Sequence, residues 1–499
     1  MPINYIPNDP LAVGDLPMIE KEPRADRPAG RAGFDLSDTV PQPQRAKYLP
    51  DTADFAFWQC REAALAAVEA WEGLGETLAD WARTGKKLKL SVDFSHPDFT
   101  GDRRLNAFYD GQGLRFFILN DLTPPVLTGQ STDTVAHETG HALLDTLRPE
   151  LFGSFIPEEA AFHEAFGDCV ALLTALADQP TRVKLLALTA DLSAANFVES
   201  GSEYLSDAIR RVFGNVAASR PRRALNTFQW QLPSTLPAGQ FTDPPTLLSR
   251  EAHSFSRVFT GCFYDLIRRM FTAQAAQNEA TLAAVAVSAG TLLLAGVRAA
   301  QRVPRFFRAV GRGMMLADDD ANDGANRDAL DKAFADHDIV LGGGGALVPT
   351  AALAGAAPTV AKRSASLKPA TAKDIRGRIG AEAGTRLSVT PKEVYGVKMA
   401  EAVHTREIDL GPVDRRLAGC VARTPETVLV GDSGGQAAVL GGLPDPTQTE
   451  DEVRAFVETL LRCGRIKLEG TGSAREPITH VVHARGGKKL LERVRFLCG

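Results

Sequence analysis

Residues 135–145 read VAHETGHALLD. Apolar positions flank the polar centre at helical spacing, which places the run on an α-helix. His137 and His141 are four apart, so their imidazoles leave one face of that helix and can grip one ion. Zinc takes neutral imidazole nitrogens at about 2.0–2.1 Å, a bite that this spacing satisfies. Glu138 lies beside the pair, placed to take a proton from a metal-bound water whose pKa zinc lowers to about 7. The chain has nine histidines. Chance alone would yield such a match in roughly one chain of this kind in a hundred, so its surroundings carry the weight.

A catalytic zinc needs a third protein ligand and an open fourth position. HEAFGD at 163–168 offers that ligand. Glu164 and Asp168 are four apart and share a helix face. Glu164 can ligate the ion, and Asp168 can accept the free N–H of a ligand histidine, fixing its tautomer. His163 is rotated about 100° from Glu164, which takes it off the metal.

At 499 residues the chain is long enough for two or three domains. Hydrophobic residues make up 44%, charged residues 23%, and the net charge is −5. That is globular composition with no bulk attraction to nucleic acid or to a membrane surface. Cys60, Cys169, Cys262, Cys420, Cys463 and Cys498 form no CxxC, which excludes a cysteine zinc finger and fits a reducing compartment. The N-terminus lacks the apolar core of a secretory signal, so cytoplasmic residence is the expectation, with export by a non-classical route left open. Residues 280–297 carry no charge but are rich in small residues, and read as a buried central helix rather than a membrane span.

Along the chain, residues 1–50 hold nine prolines and predict a poorly ordered leader. A helix is expected over 55–84, then strands at LKLSV (88–92) and GLRFFIL (113–119), with NAFYDGQG between them as a strand running into a turn. From Thr134 to about Ile339 the pattern is helical. Residues 342–370 are Gly/Ala/Pro-rich and read as a linker. Residues 371–499 predict a small mixed domain, with strands at RLSV, TVLV and ITHVVH and helices at 450–463 and 487–496.

HETGH followed by HEAFGD resembles the gluzincin metallopeptidases, the thermolysin-like family above all. Three further stretches agree in order. NAFYDG (106–111) resembles the family's edge strand, HSFSRVFTGCFYDL (253–266) resembles its helix that opens on a catalytic histidine, and LDKAFADHDIVL (330–341) resembles its closing segment. Together they cover about residues 90–341. The resemblance implies an α+β fold of two lobes: a reduced, strand-rich N-terminal lobe and a helical C-terminal lobe. The peptidase domain would span 51–341, with 371–499 appended. It implies one zinc per chain on His137, His141 and Glu164, Glu138 as general base, Asp168 behind a ligand histidine, and His253 stabilising the oxyanion, with Ser256 echoing the family's serine. Asn106 and Ala107 would hold the backbone of a peptide or protein substrate. The activity implied is zinc-dependent endopeptidase.

Departures bear on that implication. Residues 142–162 contain no tyrosine where the family has a second oxyanion donor; Phe152 or Phe155 occupies the region. Asn226 stands near the position of the family's substrate-carbonyl arginine, with Arg222 and Arg223 close by. Asp133 matches a calcium ligand, but the other calcium carboxylates have no counterpart. These departures define the alternative, a catalytically silent, zinc-stabilised peptide- or protein-binding protein. The appended domain would bind substrate or a partner, or cover the cleft. GDSGG (431–435) copies a serine-protease nucleophile loop around Ser433, yet no fitting His and Asp accompany it, and a turn between strands explains it.

Overall fold

The computed structural model describes residues 1–499 apart from 38–40, 241, 343–368, 382–386, 395–396, 434–435, 441–444, 469–476 and 498–499. Helix and strand are mixed, at 45% and 17%, in keeping with an α+β class. Most of the expected linker, 343–368, lies outside the described residues.

The poorly ordered leader predicted for residues 1–50 is not what forms. Ile3–Tyr5 (β1) pairs antiparallel with Ile19–Lys21 (β2), and Gly33–Asp35 (β3) runs parallel to Lys87–Ser91 (β4). Ile3, Leu16 and Phe34 enter the main hydrophobic core. Asp9 is buried and accepts hydrogen bonds from Ser131 Oγ (2.9 Å) and Tyr204 N (3.1 Å). Few large apolar residues suffice here because each lands on a surface already built by the helix Ala53–Glu72 (α1) and its neighbours. Thr52 caps α1 by accepting from Phe55 N. The helix ends twelve residues earlier than the pattern predicts, at Gly73 and Gly75, the latter with φ +90°.

Phe108–Tyr109 (β5) turns into Gly113–Arg115 (β6) through Asp110 and Gly111, whose φ is +79°. Asp110 Oδ1 accepts both Gln112 N and Gly113 N at 2.8 Å, which closes the turn. The single strand expected at 113–119 is broken: Phe116 and Phe117 drop into the core, and Ile118–Leu119 (β7) pairs instead with Val126–Leu127 (β8).

The helical body follows the expected order. Thr132–Leu147 (α2) and Pro157–Ala177 (α3) carry the motif residues. Ser131 caps α2, and Pro157 at the first helical position starts α3. Gln179–Leu188 (α4) leads to Ser200–Gly201 (β9), Glu203–Phe213 (α5) and Arg222–Arg223 (β10), which pairs antiparallel with β9. Ala252–Thr272 (α6), Glu279–Ala299 (α7), Phe306–Asn322 (α8) and Arg327–Ala335 (α9) complete the body. By length and composition, α3 and α7 could each cross a membrane. In the fold α3 is buried, and α7 turns Leu282, Leu292, Leu293 and Val297 into the core while Val287 is exposed.

After the helix Pro369–Arg378 (α10), the C-terminal part builds a seven-stranded sheet. Its strands are Ser388–Val394 (β11), Val397–Asp409 (β12), Cys420–Ser433 (β13), Gln436–Leu440 (β14), Ile466–Lys467 (β15), His480–Arg485 (β16) and Lys488–Arg493 (β17). They lie in the order β11-β12-β13-β17-β16-β15, with β14 on β13. Pro446–Arg462 (α11) is the helix expected at 450–463. The helix expected over 487–496 is a second correction: the segment forms β17 and, at Phe496–Leu497, β18. Cross-strand partners decide this, since Leu490 and Leu491 bury only when β17 lies against β16 and β13.

The C-terminal part is not a detached module. β18 joins the N-terminal sheet in the order β18-β5-β6-β4-β3. Arg302 N donates to Thr427 Oγ1 (2.8 Å), and the buried Arg302 guanidinium pairs with Glu159 of α3 at 2.7 Å.

Candidate metal centre

Helices α2 and α3 touch at two glycines. A Cβ on Gly140 would lie 2.8 Å from Gly167 Cα, and one on Gly167 would lie 2.7 Å from His137 Nδ1. Both motifs therefore carry glycine for a packing reason: any side chain would push the two helices apart. The close approach brings the α3 carboxylates against the α2 histidines.

His137 and His141 project side by side, with ring centroids 4.7 Å apart. Glu164 Oε2 lies 3.3 Å from His137 Nε2 and 3.6 Å from His141 Nε2. All three atoms are buried and none makes a well-formed hydrogen bond. Buried polar atoms are nearly always satisfied, so three that converge without satisfying each other mark a place for a cation. The donor set, two imidazoles and a carboxylate, is one that zinc favours. His137, Glu138 and His141 also place ligand atoms within 4.8 Å of one another. Glu164 suits the third ligand position, because its oxygen reaches both Nε2 atoms from the facing helix.

Each imidazole is held from behind. His137 Nδ1 lies 2.9 Å from Asp168 Oδ1. Asp168 is itself held by Arg222 of β10, through Nε at 3.2 Å and Nη2 at 3.0 Å, and by Thr260 Oγ1 at 3.3 Å. His141 Nδ1 lies 2.8 Å from His163 Nδ1. Burial holds His163 well below its usual range, so it is neutral and can accept from His141. Both arrangements aim the Nε2 lone pairs at Glu164. The sequence reading expects His163 off the metal and misses that the same rotation turns it toward His141.

The electrostatics suit a cation. Burial and Arg222 oppose a charge on His137, but Asp168 and Glu164 carry its pKa up to about 9. Burial takes His141 down to about 4. Burial opposes ionisation of Glu164, yet His253 and His141 hold it well below the usual carboxylate range. Asp168 is likewise held near 2, against its burial, by Arg222 and His137. An imidazolium on His137 is the charge that a divalent ion would replace.

His253 opens α6. Glu251 caps that helix, accepting His253 N (3.0 Å) and Ser254 N (3.1 Å), and binds His253 Nδ1 at 2.8 Å. His253 Nε2 then faces Glu164 Oε2 at 3.2 Å and the carbonyl oxygen of Leu497. Burial opposes its charge, but Glu164 and Glu251 raise its pKa. Glu251 is a second residue the sequence reading missed; its only local signal is a carboxylate two before a histidine at a helix start. Ser256 Oγ donates back to His253 O at 2.8 Å.

Asn106 and Ala107 are buried and lie immediately before β5, not within it. Tyr109 Oη donates to Asp145 Oδ2 at 2.7 Å, tying β5 to α2. Phe152 packs beside the centre against Tyr109 and Phe496, whereas Phe155 belongs to the C-terminal core against His480. Asn226 spends its amide on the carbonyls of Arg223, Ala224 and Arg257. Asp133 accepts Ser202 N (2.7 Å) and Thr134 N (2.6 Å), so its oxygens are engaged as a helix-start acceptor. Ser433 sits at the end of β13, paired with Gln436 across the hairpin. The five described cysteines outside residues 498–499 are all free thiols. No protein-family model and no curated protein matches the chain.

Proposed function

We propose that the protein is a zinc-dependent endopeptidase of thermolysin-like architecture, with His137, His141 and Glu164 as its metal ligands. The supporting observation is the convergence of His137 Nε2, His141 Nε2 and Glu164 Oε2, buried and without hydrogen bonds, between two orienting partners. Zinc, when bound, supplies a Lewis acid and a water acidic enough to ionise near pH 7. Glu138 takes the proton of the attacking water and returns it to the leaving amide nitrogen. Asp168 and His163 keep the ligand imidazoles in the tautomer that presents Nε2. His253, held at Nδ1 by Glu251, donates from Nε2 to the oxygen on which charge develops. The edge of β5 orients the peptide as an added strand.

The test is cleavage of casein by the zinc-loaded protein, read as fragments by mass spectrometry, beside Glu138→Gln. The expected outcome is equal zinc content and a loss of turnover of about a hundred- to ten-thousand-fold in the variant. Undiminished cleavage by Glu138→Gln would remove Glu138 from the mechanism.

A further inference from the structure

Strand β5 would be the open edge of its sheet, and a far later strand of the same chain closes it. β18 pairs antiparallel with β5, Phe496 opposite Tyr109 and Leu497 opposite Phe108. The Phe496 ring is 1% exposed and stacks on His163 at 3.9 Å and on His141 at 4.9 Å, with Phe152 at 5.3 Å. The Leu497 carbonyl accepts from His253 Nε2. Arg495 reaches Asp98 at 3.4 Å and lies over the rings of Phe99 and Phe108. The segment is anchored upstream, where Val494 N donates to Thr479 O at 2.8 Å. Arg493 is half-buried, with its guanidinium over the Phe496 ring at 4.2 Å.

These contacts have the form of a bound peptide. A backbone ladder on a sheet edge supplies affinity, and side-chain slots supply selectivity. A carbonyl oxygen rests on the group assigned to polarise a substrate carbonyl. The occupant is tethered, so its effective concentration is on the order of millimolar, and a free peptide competes poorly against it.

We propose that β18 is a tethered occupant of the peptide groove that holds the protein latent, and that its Arg-Phe-Leu sequence reports the chemistry of the peptides the groove accepts. This rests on the reading of β5 and His253 as the peptide groove. Release requires that the tail be cut or drawn away, and the accepted peptide carries a basic residue, then an aromatic one, then an aliphatic one.

Two readouts separate the occupant from the hydrolase. In a Glu138→Gln background, fluorescence anisotropy measures binding of a fluorescein-labelled peptide amide of residues 494–497 to the full chain and to a chain ending at Val494. In the Glu138 background the same pair is compared on casein. We expect the shortened chain to bind the peptide at least about tenfold more tightly, and to cleave casein faster by a similar factor. A peptide with Asp in place of its Phe should bind neither. Equal peptide binding by the two chains overturns the proposal, as does cleavage of casein by both chains at the same measurable rate. Tighter binding without cleavage keeps the tethered occupant and rejects the endopeptidase reading. If the shortened chain loses its helical circular dichroism, Phe496→Ala in the full chain replaces it under the same criteria, since it removes the seated ring and keeps the strand.

Discussion

At the scale of single residues, the centre depends on side chains that would never touch the metal. Asp168 joins His137, Arg222 and Thr260 in one buried node. Replacing it with Asn removes the charge that holds His137 and the carboxylate that pairs with Arg222. We expect Asp168→Asn to weaken zinc binding by about 10- to 100-fold in competition with a chromophoric chelator. Unchanged affinity would show that His137 needs no orienting partner. Asp168 was legible from its spacing after Glu164, because helical geometry is local. The parts played by Arg222, His163 and Glu251 were not, because each acts through contacts that only the packed elements create.

At the scale of elements, the pair α2 and α3 is defined by what it leaves out. Gly140 and Gly167 face one another, and Gly167 backs directly onto His137. Gly167→Ala would place a methyl 2.7 Å from His137 Nδ1, closer than real contacts allow. Overpacking of this kind costs about 1–3 kcal/mol. We expect Gly167→Ala to lower the urea midpoint and to reduce zinc affinity together. Gly140→Ala should move the midpoint with a smaller effect on the metal, since its Cβ meets backbone and Val170 rather than a ligand. A zinc affinity lost in Gly140→Ala alone would reverse that assignment. The strands were harder to read than the helices. β5, β7, β8 and β18 are two residues each, too short for alternation to register, and exist only because a partner lies alongside.

At the scale of the molecule, buried carboxylates at the start of α3 fasten the helical body to its surroundings. Glu159 pairs with Arg302, whose backbone meets Thr427 of the C-terminal sheet. Glu158 accepts Trp230 Nε1 (2.9 Å) and Phe307 N (2.8 Å). Burial raises the Glu158 pKa from 4.5 to about 8 despite these donors. In the folded chain it therefore keeps its proton up to about pH 8, while in the unfolded chain it loses it near 4.5. Its contribution to stability is full below the lower value and declines as pH rises toward the upper one. The steepest slope that one such group allows is about 1.4 kcal/mol per pH unit. Urea unfolding at several pH values between these limits should show a shallower decline in Glu158→Gln than in the wild type. Parallel curves would remove Glu158 as the source.

The sequence by itself determined the metal-ligand candidates and the helices that carry them. Those features repeat within one or two helical turns, where bond geometry sets which side chains share a face. Three of the stretches the sequence singled out, 137–141, 163–168 and the helix start at His253, bring side chains to one centre. Tertiary structure alone decided that Ile3, Leu16 and Phe34 enter the core, that Lys488–Arg493 and Phe496–Leu497 are strands, and that β18 lies on β5. Those outcomes depend on partners far away in sequence. Phe496 and Leu497 meet Tyr109, Phe108, His141, His163 and His253 only once two sheets and the helical body have closed around them. No local pattern encodes such a contact, because the free energy that favours it comes from surfaces that do not exist until the rest has folded.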